Sequence, residues 1–175
     1  MNKIIEVTVR ELDIKKYEKE IIMEVKPSFL LEASLIATPL NGVKNEVLVY
    51  SFQDHIPVAE VMCGLNDAYN IIKKYVNVLL AARNMLLNVE NISSDPKEIF
   101  ISEKNELKII YSNSYTKDEI EKVCDLIRFF SSWDDVVGAK SSMKVLLDRI
   151  SGKNLSLKTC LKLIEAVQRE WNHIN

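Results

Sequence analysis

Glycine is scarce in this chain of 175 residues, with four in all, and no two of Gly42, Gly64, Gly138 and Gly152 fall within six positions of each other. Loops that cradle phosphates need glycines so that the backbone can approach the anion. A Walker loop and a dinucleotide fingerprint are therefore both excluded. Cysteine is scarce too. Cys63, Cys124 and Cys160 are odd in number and widely spaced, which builds neither a disulfide framework nor a zinc site. Only two histidines are present, His55 and His173, far apart and without a ligand-like partner at helical or hairpin spacing. No serine stands in a Gly-x-Ser-x-Gly elbow, so a hydrolase nucleophile of that type is unsupported. No charge dominates: 23 Lys and Arg stand against 25 Asp and Glu, for a net charge of −2. A nucleic-acid surface would require concentrated basic residues, and the sequence has no such run. Neither a signal peptide nor the ~20 apolar residues of a membrane span is found. No metal, cofactor, nucleic acid or membrane insertion is expected, and the expected location is the cytoplasm.

What the chain does have is ordinary globular material, 47% apolar and 27% charged. That is enough to build one medium domain without a disulfide or metal. Residues 3–10 alternate, with Ile5, Val7 and Val9 on one face, and read as a strand. Residues 12–25 fit either a helix or a strand, and Pro27 ends the pattern. Residues 30–40 and 46–52 are strand candidates around a turn at Asn41, Gly42, Val43, Lys44 and Asn45. After Pro57 the period lengthens. Ala68, Ile71, Ile72, Tyr75, Leu79, Ala82 and Leu86 predict a long helix capped by Asn66 or Asp67. A hairpin over 99–102 and 107–111 follows, and then a capping box from Thr116 to Glu119. That box opens a helix carrying Ile120, Val123, Cys124, Ile127 and Phe130. A third helix runs to a C-terminal Gly152, and a fourth covers 156–171. Cys124 and Cys160 lie in apolar stripes and read as small core residues. The fold expected is α+β: one domain over 1–175, with a small β-rich N-terminal lobe (1–57) and a mainly helical lobe with a short hairpin (58–175).

The acidic pairs Asp134/Asp135 and Glu18/Glu20 fit solvated positions or helix N-termini better than catalytic ones. Trp133 and Trp171 are candidate interface anchors, because tryptophan is common among binding hot spots. Helix packing is the alternative for both.

One segment carries a resemblance. Leu86 leads through Ser93, Ser94, Asp95, Pro96, Lys97, Glu98, Ile99 and Phe100 to Leu107, Lys108, Ile109, Ile110 and Tyr111. It resembles the stretch of protein kinases in which the long helix of the large lobe runs into the catalytic loop, then into a hairpin and the magnesium-binding motif. Pro96 matches the family's proline, Ile99 its isoleucine, and Lys108 with Ile109 its Lys-Ile. The functional positions differ. Ser93 stands where the family has its catalytic Asp, Glu98 where it has a metal-binding Asn, and Tyr111 where it has the Asp of Asp-Phe-Gly. The resemblance therefore implies a degenerate kinase fold without the usual phosphoryl transfer. Residues 29–167 further resemble an uncharacterised domain of Gram-positive bacteria found ahead of forkhead-associated domains, and the EssB-type pseudokinase domain of type VII secretion. No forkhead-associated domain follows within the 175 residues.

These resemblances imply a non-catalytic, pseudokinase-like interaction or scaffolding domain that binds another protein, in bacterial membrane-associated signalling or secretion. The candidate interaction residues are Ser93, Asp95, Pro96, Glu98, Tyr111, Trp133 and Trp171. The alternative for the loop is structural: Pro96 shapes it, while Ile99 and Tyr111 pack in the core. Two rival functions remain open: an enzyme of unrecognised type using Asp95, Glu98 or Asp134/Asp135, and a phage or mobile-element protein that inhibits a host complex.

Overall fold

The alternation near the N-terminus becomes strand β1 (Ile4–Val9), which pairs antiparallel with β3 (Val43–Ser51). On its other side β3 pairs antiparallel with β2 (Glu32–Leu40), giving a three-stranded sheet in the order β1-β3-β2. The computed structural model describes residues 4–9, 15–40, 43–52, 54–61, 64–111, 117–133 and 138–174; at 4–9, 35, 37–40, 43–47 and 174 it describes the backbone alone. Leu40 lies opposite Val43, so the connection is shorter than the five residues expected. Val43, Lys44 and Asn45 continue the ladder instead of turning. Along β2 the burial alternates as a one-sided sheet requires, with Ala33 inside and Glu32, Ser34 and Ile36 outside.

The ambiguous stretch proves helical. A short helix α1 (Lys16–Glu20) runs on into a single π turn over Ile21–Val25. Lys26, in the left-handed region at φ 49°, stops it just before Pro27. Within α1, Glu20 is exposed, and Glu18 takes the other expected place, in the first helical turn with its carboxylate accepting from Lys15 N–H, where it is buried and not solvated.

A second antiparallel sheet has the order β4-β5-β6, from β4 (His55–Pro57), β5 (Ile99–Ser102) and β6 (Leu107–Ile109). The hairpin β5–β6 forms as expected. β4 is an addition, and it comes from the N-terminal side of the lobe boundary drawn after residue 57. His55 pairs with Ser102 on this edge strand. The two sheets meet where Leu30 bridges Ile109: Leu31 N–H donates to Ile109 O (3.1 Å) and Ile109 N–H to Phe29 O (3.0 Å).

The remaining elements are helices α2 (Leu65–Asn84), α3 (Glu119–Ser131), α4 (Ala139–Ile150) and α5 (Leu157–Ile174). At 20 residues, α2 is about 30 Å long. It packs on α3 and α5, and α4 packs on both of those. Its cap is Gly64, whose N–H donates to the Asp67 carboxylate (3.2 Å). Asp67 thus acts one turn later than expected, and Asn66 does not cap. At α3 the cap is Asp118, whose side chain accepts from Glu121 N–H (2.8 Å); Thr116 lies outside the described residues. Gly152 sits just past α4 at φ 70°, as a glycine after a helix end should.

Cys124 and Cys160 are free and buried, and burial pushes their thiols up to about 11 and about 12. One apolar cluster extends from Ile22 through Tyr50, Leu79, Phe100 and Ile127 to Val167, so sheets and helices share a core. The fold is α+β. Among the described residues no helix is long and apolar enough to cross a membrane.

Candidate functional site

The chain leaves α2 through Leu86, which is in the left-handed region at φ 61° and largely exposed. This turn aims residues 88–98 back under the helix. Asn88 caps a 3₁₀ turn (Val89–Asn91), its side chain accepting from Glu90 N–H (3.1 Å). Ile92 then bridges Tyr111, so the loop and the strand after β6 are locked side by side.

Ser93 is fully buried, and each of its polar groups is engaged. Its N–H donates to Ile110 O (3.1 Å), and its carbonyl accepts from Tyr75 Oη (2.8 Å). Its hydroxyl donates to Glu98 Oε2 (2.6 Å) and accepts from Asp95 N–H (3.1 Å). The turn at 95–98 closes on itself. Glu98 N–H donates to Asp95 O (2.8 Å), and Lys97 N–H to Asp95 Oδ1 (2.9 Å). Pro96 O accepts from Ala59 N–H (2.9 Å), pinning the turn to the segment after β4. Asp95 and Lys97 are the exposed tip, whereas Pro96 and Glu98 are half-buried.

Tyr111 is fully buried as well. Its hydroxyl donates to Glu18 Oε1 (2.7 Å) and accepts from Asn88 N–H (3.1 Å) and Asn91 Nδ2 (3.3 Å). Tyr50 Oη donates to its carbonyl. Burial, reinforced by the bond to Glu18, raises the phenol well above its ordinary pKa. Glu18 Oε1 also accepts from Asn88 N–H (2.9 Å), and its Oε2 from Lys15 N–H (3.0 Å).

Lys122 supports the loop from α3. It is fully buried, and its Nζ donates to Glu90 O (2.9 Å) and Ile92 O (2.6 Å). Burial lowers its pKa to about 8. Beside it, Asp125 accepts from Ser94 Oγ (3.1 Å), Lys117 Nζ (2.6 Å) and Arg128 Nη1 (3.0 Å).

The structure therefore divides the candidate residues. Ser93 and Tyr111 have no surface to offer a partner, which corrects their reading as docking residues. Their polar atoms are consumed in holding the loop, and the structural alternative applies to them. Asp95, Pro96 and Glu98 share one turn that reaches the surface. Trp133, half-buried at the end of α3, meets Phe129 and Phe130 edge-on at 5.5 and 4.9 Å. Trp171, half-buried on α5, covers Gly138, where an added Cβ would lie 3.0 Å from its indole nitrogen. Both tryptophans thus pack against their own helical surroundings. Asp134 and Asp135 lie outside the described residues, and among those described no three His, Cys, Asp or Glu side chains gather to hold a metal. Recesses of about 640 Å³ beside Arg83 and Lys153, and about 330 Å³ beside Lys73 and Asn105, lie off the loop.

The sequence pattern does not reveal Asn91, Lys122 or the pairing of Glu18 with Tyr111. Lys122 had a signal: with Leu126 and Phe130 it forms a row at steps of four, all buried, and a lysine there needs buried acceptors. Glu18 gave none, because the local pattern around it suits either a helix or a strand.

No protein-family model matches the sequence, and no curated protein is similar to it. Two solved structures are similar in layout. The EssB cytoplasmic fragment of Geobacillus thermodenitrificans is 11% identical with a TM-score of 0.47, over 96% of this chain and 86% of that one. The EssB cytoplasmic fragment of Staphylococcus aureus is 14% identical with a TM-score of 0.40, over 92% and 91%. Superpositions this loose give no residue correspondence.

Proposed function

We propose that the chain is a non-catalytic, pseudokinase-like protein-interaction domain, a cytoplasmic scaffold in a bacterial signalling or secretion assembly. One observation carries this reading. The side chains that the sequence resemblance aligns with the kinase family's catalytic and metal positions are spent on internal hydrogen bonds, Ser93 to Glu98 and Tyr111 to Glu18. A catalytic base needs a free lone pair within reach of a substrate proton, and a magnesium site needs carboxylates facing solvent and phosphate. Here the carboxylate of Glu98 is turned inward to a buried hydroxyl, and a phenol replaces the other acid. What remains available to a partner is the rigid tip at Asp95, Pro96 and Lys97, held from below by Ser93 and from the side by Ala59.

The test is a change of charge at that tip. Asp95→Asn with Lys97→Glu keeps the side-chain oxygen that accepts from Lys97 N–H and removes no buried contact, so the melting temperature should stay near wild type. The wild-type chain, immobilised, should retain a protein partner that the double variant loses, and the two purified proteins should bind one to one in titration calorimetry. Equal retention by both forms would move the interface off the loop. Magnesium-dependent turnover of ATP by the purified chain would favour the enzyme reading.

A further inference from the structure

Strand β2 is an edge strand whose outer side is only partly closed within the chain. β3 lies on its inner side, in the order β1-β3-β2. On the outer side Leu31 N–H donates to Ile109 O (3.1 Å), so Leu31 turns its backbone groups away from β3. By the two-residue period of a strand, Ala33, Leu35 and Ala37 do the same. Beyond Leu31, no strand pairs with this side among the described residues. Ala33, only 7% exposed, is still covered by the body of the protein. At the other end Pro39 has no N–H and cannot extend a ladder. The stretch open to another chain is therefore Ser34, Leu35, Ile36, Ala37 and Thr38, none of them charged. Ile36, at its middle, is 47% exposed. Edge strands avoid pairing with other chains through charges and prolines, and this stretch has neither.

We infer that the open edge of β2 is an interface between two copies of this chain, paired antiparallel about a two-fold axis at Ile36. The ends of the open stretch select that axis. Ala33 and Pro39 lie equally far from Ile36 in sequence, so the two-fold sets each copy's Ala33 against the other's Pro39 and leaves no open backbone group facing a stop. Leu35 of each copy then exchanges both N–H···O=C bonds with Ala37 of the other. Ile36 meets Ile36 of the second copy as a non-hydrogen-bonded pair, the closest spacing in an antiparallel ladder. Ser34 stands opposite Thr38 of the second copy, so no like charges are opposed. The body of the protein lies at the Leu30–Ala33 end of the strand, where Leu30, Leu31 and Ala33 are buried. Antiparallel pairing sends the two bodies to opposite ends of the joined strands. The stretch is thus its own complement in length, polarity and stops. The inference goes beyond the interaction reading and makes no use of the tip at Asp95, Pro96 and Lys97.

The test uses the full chain. In sedimentation equilibrium its weight-average mass should rise from one chain towards two between about 10 µM and about 1 mM, the weak range that so small an interface implies. Ile36→Lys sets two ammonium groups against each other across the axis. Because Ile36 is exposed, that variant should melt near wild type and stay monomeric throughout. Ile36→Cys should form a disulfide between copies under diamide, since a Cα spacing of about 4.5 Å lies within the reach of that bond. Wild type gives the background from the chain's own cysteines. Ser34→Cys would lie about 13 Å from its counterpart in the same dimer and should cross-link no more than wild type. A wild-type chain still monomeric at about 1 mM would overturn the inference. So would a dimer that Ile36→Lys leaves intact, which puts the contact on another surface. Cross-linking at Ser34→Cys in preference to Ile36→Cys would move the axis and overturn it too. A monomer that captures another protein, and loses it in Ile36→Lys, would give the edge to a partner's strand instead of a second copy.

Discussion

Lys122 places an ammonium with no exposed surface against two carbonyls, Glu90 O and Ile92 O. Methionine fills similar space but strands both acceptors, so Lys122→Met should destabilise the fold by about 1–3 kcal/mol in urea unfolding. The pH dependence has a definite sign. The folded pKa of about 8 lies below the ordinary lysine value of 10.5. Below pH 8 both folded and unfolded chains hold the proton, and the burial penalty is at full strength. As pH rises from about 8 towards 10.5, the unfolded chain holds more protons than the folded one, so this group's contribution to stability increases. The gap between wild type and Lys122→Met should therefore widen from about pH 7 to about pH 10. A constant gap would mean that the fold leaves this lysine's proton affinity unchanged, and a narrowing one that the fold favours its charged form; either would contradict the burial penalty. Residues of this kind are only partly legible in sequence. The buried row Lys122, Leu126, Phe130 can be read from spacing, but the pairing of Glu18 with Tyr111 spans 93 positions and has no local pattern.

At the scale of elements, helix bodies and the glycine stop after α4 are readable, and the N-terminal caps of α2 and α3 are not. The apolar spacing of α2, α3, α4 and α5 places each near its observed span, because burial of one face dominates a helix's placement. Which polar residue caps it is a contest among near neighbours. At α2 the contest goes to Gly64, and at α3 to Asp118, each set by where packing allows the first turn to begin. Two glycines test this scale. Gly152, at φ 70°, has nothing within 4 Å of an added Cβ, so Gly152→Ala should cost only the left-handed penalty, about 1–2 kcal/mol. Gly138, at φ 78°, would in addition drive a methyl group into Trp171 at 3.0 Å. Gly138→Ala should therefore be the more damaging and should change Trp171 fluorescence, whereas Gly152→Ala should leave that signal alone. Equal midpoint shifts and unchanged fluorescence in both would show that the Gly138–Trp171 contact is not maintained.

For the whole molecule, an α+β layout with an N-terminal β-rich part and a helical remainder followed from the change of hydrophobic period after Pro57. The joining of the parts did not. β4 pairs with β5 across 45 or so positions, and Leu30 bridges Ile109, contacts that rest on backbone hydrogen bonds and leave no periodic trace in side chains. The loop at 93–98 was legible as a site of interest through its resemblance to a kinase catalytic loop. That the later tyrosine packs inward is legible as one of two alternatives, whereas the burial of Ser93 is not legible, since it depends on bonds to Tyr75, Glu98 and Ile110.

Under the proposed function, the residues that the resemblance aligns with kinase chemistry are structural. Magnesium and ATP added to the purified chain decide this, through phosphate release measured together with the amide resonances of residues 93–95, 97, 98 and 111. The expected result is no release above a protein-free control and no nucleotide-dependent shift at those amides. Magnesium-dependent release that Glu98→Ala abolishes, accompanied by shifts at Ser93 and Tyr111, would contradict it.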